Sequence, residues 1–272
     1  MNLGNILFLG TGNMGGAILR GLLAKSVVPV SQIAMVEPAE SFASDFVKSG
    51  VQRFASADEA FAWADVVMLC VKPQVFKIVA PEWRDALQRS GRRPEFISVM
   101  AGIQTGIIQE ALANLLTINV LRTMPNLPMA IGKGTVALAS DHAPASLVEK
   151  GQAIFAPVAN TTVVIESQLD AVTALSGSGP AWVFQFIEGL VQAGVKVGLS
   201  RESATAMTLS TIEGSVAMVR ESGKSAADLT AAVCSPGGTT IYGLQALEEG
   251  AFRATLMQAV EAACNRSKEL GA

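Results

Sequence analysis

A single histidine, His142, occurs in 272 residues, and it stands in the polar run Ser140-Asp141-His142-Ala143-Pro144. It reads as a loop residue, so the chemistry is expected to proceed without a histidine acid or base. Cysteine is also sparse. Cys70, Cys234 and Cys264 are odd in number, far apart and without metal-ligand spacing. They argue against a disulfide framework and a metal centre, and they fit a reducing cytoplasm. The formal net charge of −3 leaves no basic footprint for nucleic acid. No apolar run reaches membrane-spanning length, and the first apolar stretch lacks a preceding basic region, so it is expected to be a strand. With 50% apolar and 16% charged residues, the chain should fold around much buried surface, as one large or two modest domains.

What is present begins with Ile6-Leu7-Phe8-Leu9, a short apolar run that ends at Gly10-Thr11-Gly12-Asn13-Met14-Gly15 and leads into a helical pattern. Strand, Gly-x-Gly-x-x-Gly, helix is the context in which this spacing predicts dinucleotide binding. Gly10 permits the tight turn, Gly12 lets a pyrophosphate reach the backbone, and Gly15 lets the helix approach the strand. A second strand, Ile33–Val36, ends at Glu37, where an acidic side chain would accept hydrogen bonds from the adenosine ribose hydroxyls. A carboxylate there repels a 2′-phosphate, which predicts NADH in preference to NADPH.

Strand signals continue at residues 65–71, 96–100 and 118–121, with 134–139 and 161–165 completing a sheet. Strands separated by helix-length segments predict a doubly wound, parallel Rossmann-type sheet over residues 1–166. Ligands of such sheets gather at the carboxyl ends of the strands. Cys70-Val71-Lys72-Pro73, Ala101-Gly102 and Met124-Pro125-Asn126 fall at three such ends and are candidates to face a nicotinamide.

From about Asp170 the pattern turns helical, and residues 167–272 are expected to form an all-α domain. A helix should run from Gly179-Pro180 to Val197, and another from an N-cap at Ser200 to Arg220. Shorter helices fit 226–233 and 241–249, with a last one over 251–270. Gly189, Ala193 and Gly194 would allow close helix approach, and Met207 and Met218 read as core residues. Helices this apolar exceed what such a bundle can bury alone, so a homo-oligomer is expected. Within this half, Ser235-Pro236-Gly237-Gly238-Thr239-Thr240 joins two helices, with Thr239 as candidate N-cap of the second. Glycines and free amides at a helix start suit a small carboxylate. Leu175-Ser176-Gly177-Ser178-Gly179-Pro180 is either a second anion site or a tight subunit contact.

Together these segments resemble the pyrroline-5-carboxylate reductase family nearly end to end. The resemblance implies NADH- or NADPH-dependent reduction of 1-pyrroline-5-carboxylate to L-proline, the last step of proline biosynthesis. It also implies a homodimer formed through the helical half, with dimers joining into larger rings in some members. Leu9, Gly10, Thr11, Gly12, Asn13 and Met14 would line the cofactor with Cys70, Val71, Lys72 and Pro73, while Ala101 and Gly102 would face its nicotinamide. Ser235, Gly237, Gly238 and Thr239, with Asn126, would bind substrate. Thr240 would act catalytically, with its hydroxyl against the ring nitrogen. The chain departs from common family residues at Ala57, Leu127 and Trp182, which bears on cofactor grip and pocket lining.

Two other functions fit parts of the pattern. A 3-hydroxyacid-type dehydrogenase shares the two-part layout but typically needs a lysine with a nearby asparagine. Lys196 is the only lysine on the long helix, and no asparagine lies within a turn of it. A non-enzymatic dinucleotide sensor would bind nucleotide without turnover and leave the Ser235–Thr240 loop without a role.

Overall fold

The computed structural model describes residues 3–113 and 117–271. Two compact units are formed, Met1–Ser178 with Ala263–Ala272, and Gly179–Ala262. In the first, β1 (Ile6–Leu9), β2 (Ile33–Val36) and β4 (Val66–Leu69) are short, wholly apolar strands, and β5 (Glu95–Ser98) carries Phe96 and Ile97 at its centre. Alternate residues face opposite sides of a strand. Accordingly Ile6 and Phe8 join one hydrophobic cluster while Leu7 and Leu9 join the other, and Val66 and Met68 part from Val67 and Leu69 in the same way. Each fully buried leucine or phenylalanine contributes about 1.5–3 kcal/mol. Burial on both faces explains why β1, β2 and β4 read as unbroken apolar runs.

The two-residue strand β3 (Gln52–Arg53), β6 (Val120–Pro125), β7 (Gly134–Ala139) and β8 (Ala159–Val164) complete an eight-stranded sheet of order β3-β2-β1-β4-β5-β6-β7-β8. The order reverses at β1, so the crevice between the carboxyl ends of β1 and β4 is the switch point where ligands of such sheets bind. Helices α1 (Asn13–Lys25), α2 (Glu40–Lys48), α3 (Ala57–Trp63), α4 (Pro73–Ser90), α5 (Thr105–Ala113) and α6 (Ala145–Phe155) connect the strands, and the short α7 (Leu169–Val172) follows β8. The expected all-parallel arrangement fails at one pair, since β7 runs antiparallel to β6. Only residues 126–133 separate these strands, too short a link for a parallel crossover. Strand β3 went unforeseen because Gln52 and Arg53 are polar and exposed.

The second unit contains α8 (Gly179–Lys196), α9 (Arg201–Glu221), α10 (Ala226–Val233), α11 (Thr239–Glu249) and most of α12 (Phe252–Gly271). Ser200 caps α9 by accepting a hydrogen bond from the Ser203 amide at 3.1 Å. A Cβ on Gly194 would lie 2.9 Å from that of Ala204, so α8 and α9 approach closely there, whereas Gly189 has open space around it. Among the described residues of this unit only Val191, Ala204 and Thr208 are buried. Met207 and Met218, expected in a core, are 59% and 56% exposed. They lack a core because one copy of these helices does not enclose one. Among the described residues, no helix is long and apolar enough to cross a membrane.

Candidate active site

Three groups of sequence-expected residues are placed by the first unit. A cavity of about 750 Å³ opens at the β1/β4 switch point. Its walls include Gly10, Gly12, Glu37, Cys70, Val71 and Lys72, from the ends of three strands. Helix α1 starts just after Gly12, which offers no side chain to cap it. A Cβ on Gly15 would strike the Gly10 carbonyl oxygen and come within 2.8 Å of Cys70 Cβ. Only glycine lets α1 seat this close, with its amino end toward the cavity, where a phosphate is favoured. Burial pushes the Cys70 thiol well above its ordinary range, which disfavours its thiolate.

Glu37 is buried beside this cavity. Its Oε2 accepts from the Thr11 amide at 2.8 Å, and its Oε1 from the Ala39 amide at 3.0 Å. The carboxylate thus clips the glycine-rich loop to the end of β2. Oε1 retains a further lone pair for a ribose hydroxyl. Thr11 also donates from its hydroxyl to the Phe42 carbonyl at 3.0 Å. Leu9 is buried in β1, Met14 lies in the first turn of α1, and Pro73 opens α4. Asn13 lines an adjoining groove, which shares Gly12 and Phe42 with the cavity and runs past Arg20 and Phe46 on the α1–α2 side of the loop.

Several cavity residues escaped the sequence analysis. Arg53 ends the unforeseen β3 and Phe54 follows it, and Val75, Val79 and Trp83 come from α4. The last three recur every four residues after Pro73, a helical periodicity that could have identified them.

Ala101 and Gly102 occupy the turn after β5. Gly102 lines a smaller polar cavity of about 380 Å³ with Arg122, His142, Glu166 and Lys268. The Arg122 guanidinium pairs with Glu166 at 2.7 Å, and both side chains are largely buried. Burial alone would raise the Glu166 pKa, but hydrogen bonds from Arg122 and the Thr105 amide outweigh it and hold the carboxyl below its ordinary 4.5. His142 lies in a turn, 3.4 Å from Glu166 and 3.6 Å from Asp141. A carboxyl with a lowered folded pKa adds stability above its ordinary pKa and loses it as pH falls through the folded value. Glu166→Gln should therefore cost about 1.5–3 kcal/mol near neutrality. Urea melts should show that gap closing below pH 4.5; a gap constant across the acid range would refute the assignment.

Asn126 follows β6. Its amide donates to the Ser176 carbonyl at 3.2 Å, and its oxygen accepts from the Thr135 amide at 2.9 Å. These bonds tie the Ser176-Gly177 turn to the sheet, where Gly177 packs on Met124.

In the second unit, Ser235 to Gly238 form a tight turn in which the Gly238 amide donates to the Ser235 carbonyl at 3.0 Å. Gly237 has φ +66°, a conformation that favours glycine. Helix α11 begins at Thr239 with Gly238 as N-cap, so Thr239 is its first residue and not its cap. Gly238 has no capping side chain, and the first-turn amides of α11 project from the helix start without an intrahelical partner. Thr240 is the second residue of the helix and is half-buried.

The pyrroline-5-carboxylate reductase dimerisation family matches residues 166–270, and the NADP oxidoreductase, coenzyme F420-dependent family matches residues 5–102. A pyrroline-5-carboxylate reductase of Arabidopsis thaliana is 39% identical, covering 97% of this chain and 94% of its own. The structure of a pyrroline-5-carboxylate reductase from Coxiella burnetii is 33% identical with a TM-score of 0.90, over 100% of both chains. That of a pyrroline carboxylate reductase from Plasmodium falciparum, with NADP bound, is 31% identical with a TM-score of 0.86 over 98% of each. Full-length likeness at this identity joins both units of the molecule to one lineage, and the chain belongs to the pyrroline-5-carboxylate reductase family.

Proposed function

We propose that this protein reduces 1-pyrroline-5-carboxylate to L-proline with a nicotinamide dinucleotide. The observation that carries this is the pairing, in one chain, of a Rossmann cavity at the β1/β4 switch point with the open amide turn Ser235–Gly238 ahead of α11. The residues suit such a cofactor: Gly15 makes room that a Cβ would fill, the start of α1 is uncapped, and apolar Val75, Val79 and Trp83 give an adenine a surface. The bound dinucleotide supplies a hydride for the imine carbon. The turn at Ser235, Gly237 and Gly238, with Thr239, holds the ring carboxylate by backbone amides at the positive end of α11. Thr240 directs its hydroxyl to the ring nitrogen and holds the iminium in place. A protonated imine is already electrophilic, so no strong acid is needed and His142 takes no part. Asn126 shapes the site through its hold on the Ser176 turn. Ala101 and Gly102 border the nicotinamide, and Leu9 through Met14 with Cys70 through Pro73 border the rest of the cofactor.

NADH is the preferred donor, because the Glu37 charge in the cavity wall at the end of β2 would repel a 2′-phosphate. Glu37→Ser should raise the NADPH/NADH ratio of kcat/KM, while weakening both because the Thr11 and Ala39 amides lose their acceptor. An unchanged ratio would remove Glu37 from cofactor choice. The protein acts as a homodimer through its helical unit, and dimers can assemble into larger rings. Its three free thiols suit a reducing cytoplasm. The overall test is to follow NADH and NADPH oxidation with pyrroline-5-carboxylate, a six-membered cyclic imine and an open-chain keto acid. Turnover of the keto acid alone would favour a hydroxyacid dehydrogenase instead.

A further inference from the structure

Among the described residues, Arg53 and Lys72 are the cations that line the 750 Å³ cavity, and Arg53 stands at the β2 end beside Glu37, Pro38 and Ala39. Its guanidinium is already occupied. Nε donates to the Glu37 carbonyl at 3.0 Å and Nη2 to the Pro38 carbonyl at 3.2 Å, while Nη1 meets the Glu40 carboxylate at 2.5 Å. The two carbonyl bonds fix the guanidinium against the chain that follows β2. The third partner sets its charge. Glu40 does not line the cavity, and its side chain is 73% exposed, against 30% for Arg53. An arginine beside this strand end is the group that accommodates a 2′-phosphate in dinucleotide folds. Here it is neutralised from outside by a carboxylate that would also repel a phosphate dianion.

We propose that Glu40 is a specificity-determining residue, which withholds the Arg53 guanidinium from a 2′-phosphate and so keeps the adenosine end of the cavity selective for NADH. This rests on the dinucleotide reading above and deepens its account of cofactor choice. Glu37 and Glu40 then act differently. Glu37 clips the loop and faces the ribose, whereas Glu40 sets whether Arg53 is available.

The test is equilibrium binding of NADH and NADPH, followed by nucleotide fluorescence, to wild-type protein, Glu40→Gln, Arg53→Gln and the double variant. Adenosine 2′,5′-bisphosphate and 5′-AMP serve as competing probes of the adenosine end. Glutamine preserves the size of Glu40 at an exposed position, so the fold should survive, and thermal melts check that it does. Glu40→Gln should tighten NADPH and the bisphosphate about tenfold and move NADH and 5′-AMP less than about twofold. The gain should vanish in the double variant and shrink with added salt, as for a charge-based contact. An unchanged NADPH/NADH ratio in Glu40→Gln, with wild type still preferring NADH, overturns the role of Glu40 alone. A gain that persists without Arg53 does the same. Wild-type protein that prefers NADPH overturns both this role and the NADH preference, and failure to bind either nucleotide overturns the cofactor assignment itself.

Discussion

Thr240→Ala is expected to lower turnover at least about tenfold, while nucleotide binding and the thermal melt remain near wild type. Thr240 is half-buried in the first turn of α11, so truncation to alanine removes little buried surface. Its loss should therefore act on chemistry and not on the fold. A hydrogen bond to a charged partner is worth about 1.5–3 kcal/mol, which corresponds to a rate factor of about ten or more if it is made in the transition state. The carboxylate grip of the Ser235 turn remains in this variant, so KM should change less than kcat. Thr240→Ser, which keeps the hydroxyl, should recover most of the rate. Steady-state kinetics of the two variants decide the matter, and a Thr240→Ala enzyme with wild-type kcat would strike Thr240 from the mechanism.

The second large effect concerns the helical unit. With only Val191, Ala204 and Thr208 buried among its described residues, this unit lacks a core of its own. Phe184, Tyr242 and Met257 are 54%, 68% and 71% exposed in a single copy. Apolar surface on this scale needs a partner, and the match to a dimerisation family identifies the partner as a second copy. Folding and association are then one event. Apparent stability should fall by about 1.4 kcal/mol for each tenfold dilution, which lowers the melting midpoint by a few degrees. Far-ultraviolet circular dichroism melts across a hundredfold range of concentration, paired with sedimentation, test this. A midpoint independent of concentration, or a folded monomer at the lowest concentration, would show that one copy suffices.

Much of this organisation is legible in the chain itself. Ile6–Leu9 and Ile33–Val36 are strands because their apolar runs are short and bounded by turn residues, and the structure keeps the same limits. Ala226–Val233 is a helix with Ser225 as its cap, and Ser200 caps α9 by direct hydrogen bonding. Less was legible where a role depends on partners distant in sequence. Nothing in Arg122 or Glu166 taken separately marks a buried ion pair spanning 44 residues. The reversal of β7 follows from a short link whose alternative, a continued parallel sheet, has equally good strand composition.

The order of elements, the glycine spacing after β1, the hydroxyl-and-glycine turn before α11 and the excess of apolar helix surface are properties of the sequence alone. They arise from local backbone preference and from periodicity, both of which act between near neighbours. Only the tertiary structure decided that Glu37 clips the Thr11 amide, that Arg53 is held by Glu40, and that Asn126 secures the Ser176 turn. Those are interactions of charge and hydrogen bonding across space, and they are fixed when the sheet places strand ends side by side.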